Sequence, residues 1–245
     1  MESSQRKKLI VFLTAVCAVL SAVTIVFFSF RAETGYALSA TIVIILSLLP
    51  FVAGFEAGKQ KARDIVPIAV MAALAVVGRL AFAAIPSFKP MTAIVIIAGV
   101  VFGPQAGFLT GAVSALVSNF FFGQGLWTPW QMFAWGLCGL AAGLIGKTRL
   151  GKNRIFLSFF GFVSGYLFGI IMNIWHIIGF VRPVTRASVI AVMVASFSFD
   201  ITHAVSTTIF LLLLGKVWIV KLERIKVKFG ILQQYGNSTL AEDAN

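Results

Sequence analysis

Eight stretches of the chain read as spanning helices from their runs of apolar residues: near 9–30, 37–55, 65–86, 90–102, 105–121, 130–146, 155–178 and 188–215. A helix covering the roughly 30 Å of bilayer hydrocarbon at about 1.5 Å per residue needs about 20 residues, and most of these stretches approach that length. The stretch at 90–102 is shorter; either it starts earlier or neighbouring helices shield it. Polar residues interrupt the pattern at 56–64, where Lys59, Lys61 and Arg63 cluster. That break predicts three parts: a two-helix membrane hairpin over 1–58, a six-helix membrane core over 59–228, and a polar cytoplasmic tail over 229–245 expected to be disordered. The predicted fold class is an all-α integral membrane protein. The first apolar stretch is too long for a signal-peptide core, and Phe27-Phe28-Ser29-Phe30 is a poor cleavage site, so it is read as retained.

The basic residues orient these spans. With the N-terminus inside, fifteen of the twenty Lys and Arg residues fall on the inner side. Only Arg31, Lys89, Arg182 and Arg186 fall outside, and Arg79 lies within a span. Basic residues in short loops stay cytoplasmic, so eight spans with both termini inside is the expected topology. Hydrophobic residues make up 59% of the chain and charged residues 11%, against about 25% charged in a soluble domain. A water-soluble globular fold is excluded. The net charge of +12 sits mostly in the inner loops, where anionic membrane lipid accounts for it without nucleic acid.

Small residues recur at spacing four in the core: Gly99, Gly103, Gly107, Gly111 and Ala115, then Gly139 and Gly143, then Gly161, Gly165 and Gly169. Such stripes let helix backbones approach in lipid. Pro104 suits a tight turn between Gly103 and Gly107. The hairpin spans hold no ionisable residue, which suits lipid-facing packing better than a transport path.

Ionisable residues within spans are costly and mark function or bracing. Here they are Arg79, His176, Asp200 and His203. Asp200 and His203, at i and i+3, share a helix face. They either line a polar cavity or brace the bundle through an Arg79–Asp200 pair or an Asp200–His203 hydrogen bond. Asn173 and His176 share a face near the outer end of the seventh span. The segment 118–131, Ser-Asn-Phe-Phe-Phe-Gly-Gln-Gly-Leu-Trp-Thr-Pro-Trp-Gln, is the most unusual outer stretch. An interfacial aromatic belt explains Phe122, Trp127 and Trp130, but not Asn119 and Gln131 among them. Aromatic walls with a few amides suit a flat organic ligand, and Gly123 and Gly125 let the loop bend. Cys17 and Cys138 lie inside spans, with no metal-ligand or disulfide pattern. There is no P-loop, and Gly161-Phe162-Val163-Ser164-Gly165 has the wrong spacing for a hydrolase elbow. No enzyme activity, metal or cofactor is expected, and active transport would need an energising partner.

Residues 64–216 resemble the substrate-binding S-components of energy-coupling factor (ECF) vitamin transporters. The likeness rests on the helix 66–80, on Ile96-Ile97-Ala98-Gly99-Val100-Val101-Phe102-Gly103-Pro104-Gln105-Ala106-Gly107-Phe108, on the 120–131 loop, and on Phe199-Asp200-Ile201-Thr202-His203-Ala204-Val205. It implies a multi-pass protein of a prokaryotic plasma membrane that captures a vitamin at the outer face under loops 87–90, 122–129 and 179–187. It also implies partners: a transmembrane coupling subunit, docked through Ala69 and Ala73, and two ATPase subunits, with toppling in the membrane to release substrate inside. The loop 120–131 and the following Met132-Phe133-Ala134-Trp135-Gly136-Leu137 look most like members assigned to cobalamin uptake, and the chemistry equally admits riboflavin. The substrate-site residues implied are Arg79, Asn119, Phe122, Trp127, Trp130, Gln131, Asn173, His176, Asp200 and His203. The rival readings are a membrane-embedded enzyme using Asp200 and His203, and a structural subunit without ligand.

Overall fold

The computed structural model describes residues 62–232, together with 16, 17, 20, 23, 41–46, 48, 49 and 53 of the N-terminal segment. Within 62–232 seven α-helices follow one another: α1 Ala62–Ala81, α2 Met91–Phe102, α3 Pro104–Phe122, α4 Trp127–Gly146, α5 Arg154–Phe180, α6 Arg186–Phe210 and α7 Lys216–Lys228. Among the described residues there is no strand. Helices α1 to α6 fall on the six core spans expected from the apolar pattern. The two N-terminal spans lie mostly outside the described residues.

Helix α2 is the centre of the bundle. All twelve of its residues are buried, and it touches every other helix. A helix apolar on all sides belongs inside a larger body, and here the neighbours rather than lipid enclose it. That is why a segment of about 18 Å suffices: its ends need not reach both interfaces. Gly103 turns the chain at φ 93°, a conformation that costs glycine nothing, and Pro104 opens α3 at a position where its missing N–H is not needed.

Around this centre the helices approach backbone to backbone. A Cβ placed on Gly139 of α4 would lie 2.1 Å from the Gly107 carbonyl oxygen, and one on Gly99 of α2 would lie 2.2 Å from that of Gly139. Gly165 of α5 seats against the Ala204 backbone of α6 in the same way, while Gly169 makes room for the Asp200 side chain. The small-residue series are therefore packing faces.

Among the described residues, four helical stretches are long and apolar enough to cross a membrane: Asp64–Ala81, Pro104–Phe122, Arg154–Phe180 and Arg186–Lys228. Two boundaries differ from the sequence expectation. Helix α1 stops at Ala81 rather than 86, because Pro86 disfavours helix at Ile85 and Lys89 Nζ bonds the carbonyls of Phe82, Ala83 and Ile85 instead. The last span does not stop at 215. A π turn, Leu211–Gly215, carries it into α7, and the combined rod of 43 residues outruns the bilayer core.

The start of the tail is folded. Ile231 is buried and the Leu232 N–H donates to Asp64 Oδ1 at 2.6 Å, tying the segment after α7 to the start of α1. Two hairpin residues meet the α3–α4 side: Leu48 joins Phe108, Ala112, Phe133 and Leu140, and Thr41 Oγ1 donates to the Leu126 carbonyl at 3.3 Å.

Candidate functional site

Arg79 sits in the last turn of α1, where α1, α3 and α4 meet. Its Nη1 donates to Ser118 Oγ at 2.5 Å and to Asn119 Oδ1 at 2.8 Å. Asn119 passes the chain on, its Nδ2 donating to Gln131 Oε1 at 2.8 Å and Thr128 Oγ1 at 3.0 Å. Thr128 in turn donates to Gln124 Oε1 at 2.8 Å. The guanidinium lies over the Phe122 ring at 4.5 Å and the Trp135 ring at 5.1 Å, within cation–π range. Three residues expected from sequence, Arg79, Asn119 and Gln131, thus form one hydrogen-bonded chain, with Phe122 stacked against its cation. Lys89 in the adjoining loop lies near enough that desolvation, and then the Arg79 charge, pull its ammonium pKa below the usual lysine value.

Beneath this chain lies an aromatic layer. Trp135 of α4 stacks on Phe168 of α5 at 4.3 Å, and Phe168 stacks on His203 of α6 at 4.9 Å with rings 7° from parallel. Thr92, at the start of α2, links the two ends: its Oγ1 accepts from Trp135 Nε1 at 2.9 Å and lies 2.7 Å from His203 Nε2. One hydroxyl therefore ties α2, α4 and α6 together. Neither bracing pair expected from sequence forms. Arg79 bonds Ser118 and Asn119, His203 bonds Thr92, and Asp200 accepts from Asn173 Nδ2 and Ser196 Oγ, both at 2.9 Å. One helical turn separates Asp200 from His203, and that is enough for their side chains to take different partners, α5 for the first and α2 for the second.

At the end of the bundle that carries the 122–129 loop, Trp127 meets Trp175 of α5 edge to face at 6.0 Å, and Trp175 meets Phe180 at 5.2 Å. His176 is exposed and stacks on Phe180, while Asn173 is buried against α6, so the face they were expected to share divides between two environments. The indole N–H groups of Trp130 and Trp175 are buried without an acceptor. Buried donors are nearly always paired, so these two stand out. Gly123 adopts φ 99°, as expected of a bending loop. Gly125 has a different role: the Trp127 ring lies where its Cβ would be, 2.2 Å away.

The sequence reading did not single out Thr92, Phe168, Trp175 or Ser196. Thr92 carried a usable signal, because a hydroxyl in an otherwise apolar, fully buried helix must find a partner. Phe168 and Trp175 carried none, being two aromatics among many.

The profile described as ECF-type riboflavin transporter, S component, matches residues 59–219. A UPF0397 protein of Aliivibrio salmonicida is 32% identical over 124 residues, 49% of this chain and 66% of the relative. One from Aliivibrio fischeri is 34% identical over 122 residues, 43% of this chain and 66% of the relative. One from Vibrio atlanticus is 35% identical over 99 residues, 38% of this chain and 53% of the relative. The chain therefore spans about two thirds or less of the length of these relatives. No solved structure matches it. The profile match covers well over half of the chain, including every element that builds the Arg79 network and the aromatic layer, and the chain belongs to the family of S components of ECF-type riboflavin transporters.

Proposed function

We propose that this chain is the substrate-specific subunit of an ECF importer, capturing a vitamin at the outer face and delivering it inward with a coupling subunit and two ATPases. Eight spans with both termini inside belong to the same proposal. The observation that carries it is the Arg79–Asn119–Gln131 chain together with two unpartnered indole N–H groups, of Trp130, next to Gln131 in sequence, and of Trp175, in edge contact with Trp127. Stacking surface and free donors under a loop that turns at Gly123 are what a flat, heteroatom-rich ligand needs. Ser118, Asn119 and Thr128 are buried, so binding requires the 122–129 loop to part, as a lid does. Asp200 and His203 take different partners, which speaks against a catalytic pair.

Cobalamin is the first candidate ligand, on the likeness of loop 120–131. Riboflavin is the second, on the family's description. Equilibrium dialysis of both against the purified protein decides between them. Losing buried aromatic contacts costs on the order of 1–3 kcal/mol, roughly tenfold or more in affinity. Trp127→Ala with Trp130→Ala is expected to weaken binding by at least about that factor while the protein stays monodisperse. If the residues form only an interfacial belt, yield falls and the affinity of the surviving protein stays at the wild-type value.

The topology has its own test. Gln124 and Leu150 are exposed, and the native Cys17 and Cys138 are buried. Gln124→Cys and Leu150→Cys are expected to react with an impermeant maleimide from opposite faces of a sealed vesicle; reaction from the same face contradicts the topology.

A further inference from the structure

Among the described residues Arg79 has no acidic partner. Among the described residues there are three carboxylates, and each is engaged or positioned elsewhere. Asp64 accepts from the Leu232 N–H at the far end of α1, Asp200 accepts from Asn173 and Ser196, and Glu223 lies on α7. Both acceptors of Arg79, Ser118 Oγ and Asn119 Oδ1, are neutral, and both are reached from Nη1. Nε and Nη2 donate to no acceptor among the described residues. Asn119 has spent its own amide on Thr128 and Gln131, so the chain of bonds leading from Arg79 runs through neutral groups. Two aromatic rings, Phe122 and Trp135, offer the cation its other stabilisation. A second cation, Lys89, is close enough for the two charges to oppose each other. A membrane-embedded cation ordinarily pairs with an anion, and a guanidinium fork with two free N–H groups matches a carboxylate or phosphate in geometry.

We infer that Arg79 receives an anionic group of the transported ligand, a carboxylate or a phosphate ester, so that the site selects vitamins that carry one. This rests on the vitamin-capture reading. Phe122 and Trp135 hold the guanidinium plane, Ser118 and Asn119 fix Nη1, and Nε with Nη2 faces the ligand. A phospholipid headgroup offers the same chemistry, so the test must separate the two sources.

Two probe pairs differ in a phosphate: flavin mononucleotide against riboflavin, and dicyanocobinamide phosphate against dicyanocobinamide. Equilibrium dialysis is run on the full chain in phosphate-free maltoside micelles, for the wild type, Arg79→Lys and Arg79→Gln. In at least one pair the anionic member is expected to bind the wild type about tenfold or more tightly than its neutral partner, the worth of a charge-assisted hydrogen bond. Arg79→Lys should keep much of that ratio and Arg79→Gln should bring it close to one. Because the wild-type ratio needs no variant, failure of Arg79→Gln to fold leaves the test intact. Equal binding of both members by the wild type overturns the inference and leaves vitamin capture standing. An anionic preference that Arg79→Gln retains also overturns it. If none of the four probes binds the wild type, vitamin capture and this inference fall together. Finally, phosphatidylglycerol is added to the micelles. If it stabilises the wild type and not Arg79→Gln while the probe ratio is one, the anion is a lipid headgroup and the inference is overturned.

Discussion

Gly139→Ala is expected to abolish the folded protein, or to leave a small fraction that unfolds well below the wild type. The added methyl carbon would sit 2.1 Å from the Gly107 carbonyl oxygen and 2.3 Å from its carbon. Both are backbone atoms, so no side chain can swing away, and relief requires α3 and α4 to separate. That separation would also open the contact of Gly99 with the Gly139 carbonyl, loosening α2 at the centre of the bundle. Overpacking of a well-packed core costs about 1–3 kcal/mol, occasionally more, and this site belongs at the upper end. Gly215→Ala is the matched control. Its Cβ would meet Leu211 at 3.8 Å, an ordinary contact, and alanine is favoured over glycine within a helix by roughly 0.5–1 kcal/mol. That variant should be neutral or slightly stabilised. Thermal unfolding of both variants in one detergent, followed by size-exclusion recovery, measures the contrast. Equal melting of the two variants contradicts the backbone-contact account.

The glycine result also shows which parts of this fold were legible. Periodic Gly99, Gly107, Gly139 and Gly165 announced close helix packing, because in lipid small residues have few other uses at regular spacing. The apolar run 91–102 announced a helix, and its shortness admitted the shielded position it occupies. Side-chain partners were less legible. Arg79, Asp200 and His203 invited pairing because each is costly alone in a membrane. Most of their actual partners, Ser118, Ser196 and Thr92, are small neutral residues that are common in such helices. Which one a charge finds depends on helix rotation, and a one-residue change in register turns a side chain by about 100°. The extension of α6 into α7 was hidden for a related reason. Lys216, Lys221 and Arg224 mark the end of membrane but not the end of helix.

Ala69→Trp and Ala73→Trp are expected to leave ligand binding at the wild-type level and to abolish uptake by the assembled transporter. Both alanines are exposed on α1, between the larger apolar residues Ile65, Val66, Val70 and Val77, which are also exposed. Among the described residues of the hairpin, Leu48 packs against Phe108 and Ala112 of α3, and Thr41 bonds the Leu126 carbonyl ahead of α4. Where side chains are this small, a second helix can approach to backbone distance, and an indole there holds it off. In the isolated subunit the same indole points away from the bundle, and exposed substitutions shift stability by about 0.5 kcal/mol or less. Folding and binding should therefore survive. Val194→Trp, at a position 70% exposed on α6, supplies a bulky aromatic on a different outward face and should transport normally if the effect belongs to α1 rather than to bulk in the membrane. Uptake into proteoliposomes and co-purification of the coupling subunit are read on the same preparations. Loss of both with binding retained supports docking through α1; unchanged uptake in Ala69→Trp and Ala73→Trp removes that role and leaves the proposed ligand site around Arg79 unaffected.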